Sequence, residues 1–120
     1  MQQRSRDQSL IKKFGFAFSG IGKAFKKERN LRYHTLAVFC VVAVSFFLHI
    51  SRMDWTILIL LMALVVTAEL FNTAIERVVD LVTLDEHPLA KEAKDIAAGA
   101  VVVTAIAAVI IGILILSKYI

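Results

Sequence analysis

The chain predicts an all-α integral membrane protein: one N-terminal amphipathic surface helix followed by three transmembrane helices. Two observations lead there. Of 120 residues, 58% are hydrophobic, and the net charge is +4, a balance too apolar and too basic for a soluble domain of this size. The apolar residues also gather into three long stretches, Leu36 to Ile50, Trp55 to the region of Val79, and Ile96 to Leu116. Each approaches the roughly 20 residues a helix needs to cross a bilayer core.

The elements follow in order. In the first thirty residues, Leu10, Phe14, Phe18, Ile21 and Phe25 recur at helical spacing, while Lys12, Lys13, Lys23, Lys26 and Lys27 fall on the other side. That pattern predicts a helix over about residues 7–30 lying in the headgroup layer. It serves as an electrostatic anchor, and it is also placed to cover a site. The first span covers about residues 33–50 if Tyr33 and His34 extend it at the interface. The link Ser51-Arg52-Met53-Asp54 is short enough to force a tight turn and an antiparallel hairpin. The second span covers about residues 55–80, with Trp55 at its outer boundary. The connection from Thr83 to Asp95 is longer and charged, and Pro88 marks it as irregular. The third span, about residues 96–117, ends on Lys118 and Tyr119 as an interfacial anchor. No internal repeat or low-complexity tract divides the chain, so residues 1–120 form one domain.

Basic residues set the orientation. Arg4, Arg6, Lys12, Lys13, Lys23, Lys26, Lys27, Arg29 and Arg32 precede the first span, and Arg77, Lys91 and Lys94 flank the second connection, against Arg52 and Lys118 elsewhere. Lys and Arg are retained on the cytoplasmic side, so the N-terminus and that connection are expected in the cytoplasm and the C-terminus outside. The polar start lacks a short apolar core and a cleavage site, so no removable signal peptide is expected. Cys40 stands alone in an apolar run, which excludes a disulfide framework and a paired-cysteine metal site.

The second span carries the chemistry. Glu69-Leu-Phe-Asn72-Thr73-Ala-Ile-Glu76-Arg-Val-Val-Asp80 embeds three carboxylates and an amide in a hydrophobic helix. Relative to Glu69, an ideal helix places Glu76 and Asp80 within about 20°, Thr73 near 40° and Asn72 near 60° on the other side. A charge at membrane depth costs at least a few kcal/mol, so this stripe is expected to face a bundle interior or a wet cleft and to be functional. Glu69 lies deepest, and Glu76 and Asp80 approach the cytoplasmic interface. A carboxylate at headgroup depth can take a proton from a lipid alcohol, and carboxylates nearer water can hold Mg²⁺, a hard cation that combines one or two carboxylates with phosphate oxygens. Lys94 and Asp95 sit at the mouth of the third span, where Lys94 can meet phosphate oxygens or simply snorkel to the interface. Glu28, among Lys26, Lys27 and Arg29, reads by itself as a surface ion-pair residue.

No GxxxxGK[ST] loop is present, and Gly20-Ile21-Gly22 is too brief for a phosphate fingerprint. Nucleophile-elbow and protein-kinase catalytic-loop motifs are absent too. Chemistry with ATP would need a site built from helix faces.

The run from Glu69 to Asp80 resembles the signature of the prokaryotic diacylglycerol kinase family, and Lys91-Glu-Ala-Lys94-Asp95 resembles its second block. The resemblance covers nearly the whole chain in order. It implies a small lipid kinase with one surface helix and three membrane helices, assembled as a homotrimer whose active sites are shared between subunits. It further implies that Glu69 is the general base, that Glu28 and Glu76 bind Mg²⁺, and that Lys94 contacts phosphate beside Asp95. Asp85, Glu86 and His87 would lie near the adenosine, with ATP as cosubstrate, and Asn72 and Asp80 match further active-site positions. No nucleic-acid partner is expected. Lys27-Glu28-Arg29-Asn30-Leu31-Arg32-Tyr33-His34 and Glu86-His87-Pro88-Leu89-Ala90-Lys91 resemble the Gram-positive branch, whose members prefer undecaprenol. Phe16, Phe18 and His34 depart from the diacylglycerol-specific branch. The expected reaction is therefore phosphorylation of undecaprenol, with diacylglycerol as the alternative acceptor. A different class, an oligomeric proton or cation pathway lined by Glu69, Asn72, Glu76 and Asp80, fits the stripe but gives no role to Glu28, Lys94 and Asp95. A purely structural subunit whose stripe bonds helices together leaves its acidic groups without neutralising partners.

Overall fold

Four helices account for the architecture of the computed structural model, which describes residues 2–120, with side chains from Ser9 onward. Arg4 and Arg6 thus lie outside the described side chains. The helices are α1 (Gln2–Lys27), α2 (Arg29–Leu48), α3 (Arg52–Val82) and α4 (Pro88–Leu116), followed by a 3-10 turn over Ser117–Tyr119. α2, α3 and the run Pro88–Tyr119 are each long and apolar enough to cross a membrane. The chain is a membrane protein, and the expected all-α class with three spans is what it adopts.

The break between α1 and α2 is a single residue. Glu28 leaves helical geometry at φ −100° and ψ 111°, and Arg32 reaches back from the first turn of α2 to donate to the carbonyls of Phe25 (3.1 Å) and Lys26 (2.8 Å). The guanidinium thereby satisfies two of the carbonyls a helix end leaves open and places positive charge at the negative end of the α1 dipole. The molecule measures 50 × 49 × 21 Å. Helices packed side by side sit about 8–10 Å apart, so three of them cannot supply a second long dimension. That dimension comes from α1, which runs off across the end of the bundle away from the α2–α3 hairpin and buries little beyond Ala24.

The hairpin turn is tighter than the expected link at residues 51–54. α2 stops at His49, which adopts left-handed geometry (φ 53°, ψ 51°), and α3 is already helical at Arg52 because the Ser51 side chain accepts from the Asp54 N–H at 3.1 Å. The second connection is likewise shorter than expected. Pro88 opens α4 instead of interrupting a loop, so Lys91, Lys94 and Asp95 are helical. A proline at the first helical position loses no hydrogen bond, and the His87 ring accepts from the Leu89 N–H at 3.1 Å to cap the start.

α3 packs along α4 for most of its length and more lightly on α2. At the hairpin end Ile50, Leu58 and Ile115 form a small core, with Trp55 and Tyr119 against it. Phe46 and Trp55 meet there at 4.8 Å between ring centroids. Asp54 is the polar centre of this end. It accepts from Lys118 Nζ at 2.9 and 3.0 Å and from the Tyr119 hydroxyl at 2.5 Å, and that hydroxyl also accepts from the Ser51 N–H at 2.9 Å. Lys118 and Tyr119, expected as interfacial anchors, thus also clasp the chain's end to the hairpin.

Candidate active site

The α3 stripe is one face in three dimensions, and it runs from dry to wet. Glu69, Asn72 and Thr73 are buried, Glu76 is half-buried and Asp80 is exposed. Helical periodicity aligns these residues, and burial grades them because α4 and α2 cover the middle of α3 but not its C-terminal end. Thr73 donates to the Glu69 carbonyl at 3.0 Å, so its hydroxyl is satisfied within the helix.

Glu69 is the residue whose placement most needs explaining. Its carboxylate is 4% exposed, and His34 of α2 lies against it with Nδ1 3.0 Å from Oε1. The carboxylates of Glu28 and Glu76 also lie close enough for their charges to act on it. One turn further along α3, Asn72 donates through Nδ2 to Glu76 Oε1 at 3.4 Å, while its Oδ1 is buried without a hydrogen-bond partner among the described residues.

Further out, Lys94 of α4 crosses to Asp80 of α3 with Nζ to Oδ1 at 2.6 Å, so the expected approach of Lys94 to the stripe is realised through this pair. Asp95 turns away along α4 and accepts from Lys91 at 2.5 Å. Asp80, Asp85, Glu86, His87, Lys94 and Asp95 all line one polar pocket of about 670 Å³ between the ends of α3 and α4. The structure therefore groups the expected site residues into an inner set at Glu69 and an outer set at this pocket.

A divalent cation suits the inner set. Glu28, Glu76 and the partnerless Asn72 Oδ1 are all hard oxygen donors of the kind Mg²⁺ takes. Among the described residues no three His, Cys, Asp or Glu side chains converge to cage a metal, so phosphate oxygens would have to complete its shell.

On the membrane side of Glu69 lies an apolar groove of about 510 Å³ between α2, α3 and α4. It runs from His34 past Val41, Val65 and Ala108 to Gly112 and Ile120, close to the full depth of the bundle. Small residues on α4 keep it open. Neither this groove nor the His34 contact was expected from the sequence. The signal available was register: folding the hairpin about Ile50 brings His34 to the level of Val66, within one helical turn of Glu69.

Comparison with known proteins shows the family. Residues 15–116 match the model of the prokaryotic diacylglycerol kinase family. The undecaprenol kinase of Bacillus subtilis strain 168 is 44% identical over 112 residues, covering 93% of this chain and 91% of that protein. A diacylglycerol kinase of Synechocystis sp. is 46% identical over 105 residues, 87% of this chain but only 60% of the longer relative. The diacylglycerol kinase of Escherichia coli K12 is 34% identical over 101 residues, covering 84% and 83%. The chain belongs to the prokaryotic diacylglycerol kinase family and is a membrane lipid kinase that uses ATP.

Proposed function

We propose that this enzyme transfers the terminal phosphate of ATP to the hydroxyl of undecaprenol, with Glu69 as the general base. The observation that carries the reading is the seat of Glu69, a buried carboxylate against His34 at one end of the apolar groove, on the same α3 stripe whose other end, Asp80, lines the polar pocket. A lipid alcohol lying in the groove would present its hydroxyl beside His34 and Glu69, and a nucleotide seated in the pocket would extend its phosphates along the stripe from Asp80 toward Glu69, a span of about 16 Å by helical rise. Holding the two reactants in line is itself worth several kcal/mol of barrier.

In the proposed step the alcohol oxygen attacks the γ-phosphorus while its proton passes to Glu69, and the bond from phosphorus to the ADP oxygen breaks. Lys94, held near by Asp80, offsets the charge on the transferring group. Glu28 and Glu76, with Asn72 Oδ1 beside them, would hold Mg²⁺, which neutralises phosphate charge when bound. Asp85, Glu86 and His87, with Asp95, form the wall that would receive the adenosine end. No covalent phosphoenzyme is required.

Undecaprenol is favoured by the near end-to-end likeness to the Bacillus subtilis undecaprenol kinase and by a groove that follows one long chain through the bilayer. Diacylglycerol is the second reading, since the other two relatives described carry that name. The N-terminus and the α3–α4 connection are assigned to the cytoplasm and the C-terminus to the outside, as the basic residues of the inner end require. The assembly is a homotrimer, and α1, extending past the bundle, is the element that reaches a neighbouring site.

The test is phosphate transfer from ATP by the purified protein in mixed micelles, offering undecaprenol and diacylglycerol separately. Faster turnover of undecaprenol is expected. Preference for diacylglycerol would reassign the acceptor, and no transfer to either would overturn the reading. Native mass spectrometry of the same sample is expected to show three copies, and any other stoichiometry would contradict the trimer.

A further inference from the structure

Glu69 has one polar side-chain neighbour within ion-pair distance among the described residues, the imidazole of His34 at 3.0 Å. The approach is close but oblique. Oε1 lies off the direction in which Nδ1–H would donate, and buried Nδ1 has no aligned acceptor. Catalytic hydrogen bonds are often poorly aligned until substrate is bound and tighten in the complex.

The rest of the environment sharpens the point. Thr73 is committed to the Glu69 backbone carbonyl, and Asn72 turns its amide nitrogen to Glu76, so neither orients the Glu69 carboxylate. His34 also lines the apolar groove at its Glu69 end, where Ala37 and Val38 continue the α2 wall. The imidazole therefore touches both the base and the cavity from which a lipid hydroxyl would arrive. A carboxylate with two free oxygens can rotate; one held at Oε1 presents Oε2 in a defined direction.

We infer that His34 is a positioning residue for Glu69, its Nδ1–H holding Oε1 so that Oε2 faces the acceptor hydroxyl at the inner end of the groove. This rests on the reading of Glu69 as the general base. Its energetic leverage is orientation, since misplacing a reacting group by about 1 Å costs on the order of 10²-fold in rate.

The test measures kcat, and KM for Mg-ATP and lipid alcohol, for the full-length protein in mixed micelles with His34→Ala, His34→Asn, His34→Gln and Glu69→Gln. Asparagine keeps a side-chain N–H near the Nδ1 position, whereas glutamine moves it toward Nε2. His34→Ala is expected to lower kcat by about 10²-fold with KM for Mg-ATP unchanged, His34→Asn to recover most of the loss, and His34→Gln to recover less. Wild-type kcat in His34→Ala, or equal losses in the alanine and asparagine variants, would overturn the positioning role while an inactive Glu69→Gln leaves the general base standing. An active Glu69→Gln would instead remove the base itself. A KM for Mg-ATP that stays unchanged across the series, together with recovery in His34→Asn, separates orientation from a general folding defect, which would disturb nucleotide binding as well.

Discussion

Glu76 and Asp80 sit one turn apart on α3, and the surroundings of each imply different losses. Glu76 is half-buried and accepts from Asn72, so its charge is directed inward, to where phosphate and Mg²⁺ would lie. Replacing it with glutamine is expected to raise KM for Mg-ATP by at least about tenfold, the scale of losses at metal-binding shells; unchanged affinity, measured by titrating Mg-ATP, would remove Glu76 from the metal site. Asp80 is exposed and, among the described residues, bonds to Lys94 alone, so its proposed contribution is to aim a lysine. Asp80→Asn is expected to lower kcat by about fivefold, the equivalent of roughly 1 kcal/mol for an exposed ion pair. Lys94→Met should cost more, because it removes the proposed phosphate contact itself and not merely the group that aims it. Equal effects of the two substitutions would mean that Lys94 acts through Asp80 alone.

At the scale of elements, the outer clasp is the most specific device. The α2–α3 hairpin, the start of α3 and the chain's last turn meet at Asp54, whose carboxylate is bonded by Lys118 and Tyr119. Asp54→Asn is expected to lower the Tm of the micelle-embedded protein by several degrees while leaving KM for Mg-ATP unchanged, since the clasp lies at the far end from the pocket between α3 and α4. A changed KM would show that the two ends communicate. This clasp illustrates what the sequence left hidden. Asp54 and Lys118 are 64 positions apart, and no periodicity links them. The stripe from Glu69 to Asp80 was legible because one helix repeat aligns all its members, whereas His34 was not, because its partner stands on another helix. Pro88 misled for a local reason: the same residue that breaks a helix interior is well suited to begin one.

For the whole molecule, the central claim is a division of labour along the membrane normal. In the proposed reading the groove takes an apolar chain, the pocket between α3 and α4 takes a polar cosubstrate, and the α3 stripe joins them, with the buried carboxylate of Glu69 at its groove end and Asp80 at its pocket end. Many large apolar side chains on the outward faces of α2, α3 and α4 are exposed in the single chain, as expected of surfaces covered by lipid or by neighbouring subunits. The alternative of an ion pathway uses the stripe but leaves the groove and the Lys94–Asp80 pair without a purpose. The measurement that separates the two most directly is phosphate transfer to lipid alcohol by Glu69→Gln, made alongside its Mg-ATP affinity. The account predicts turnover lowered by about 10²-fold or more with nucleotide affinity close to that of the unaltered protein. Turnover that survives the substitution would contradict the role of Glu69, and simultaneous loss of turnover and nucleotide binding would show that Glu69 shapes the site instead of acting in it.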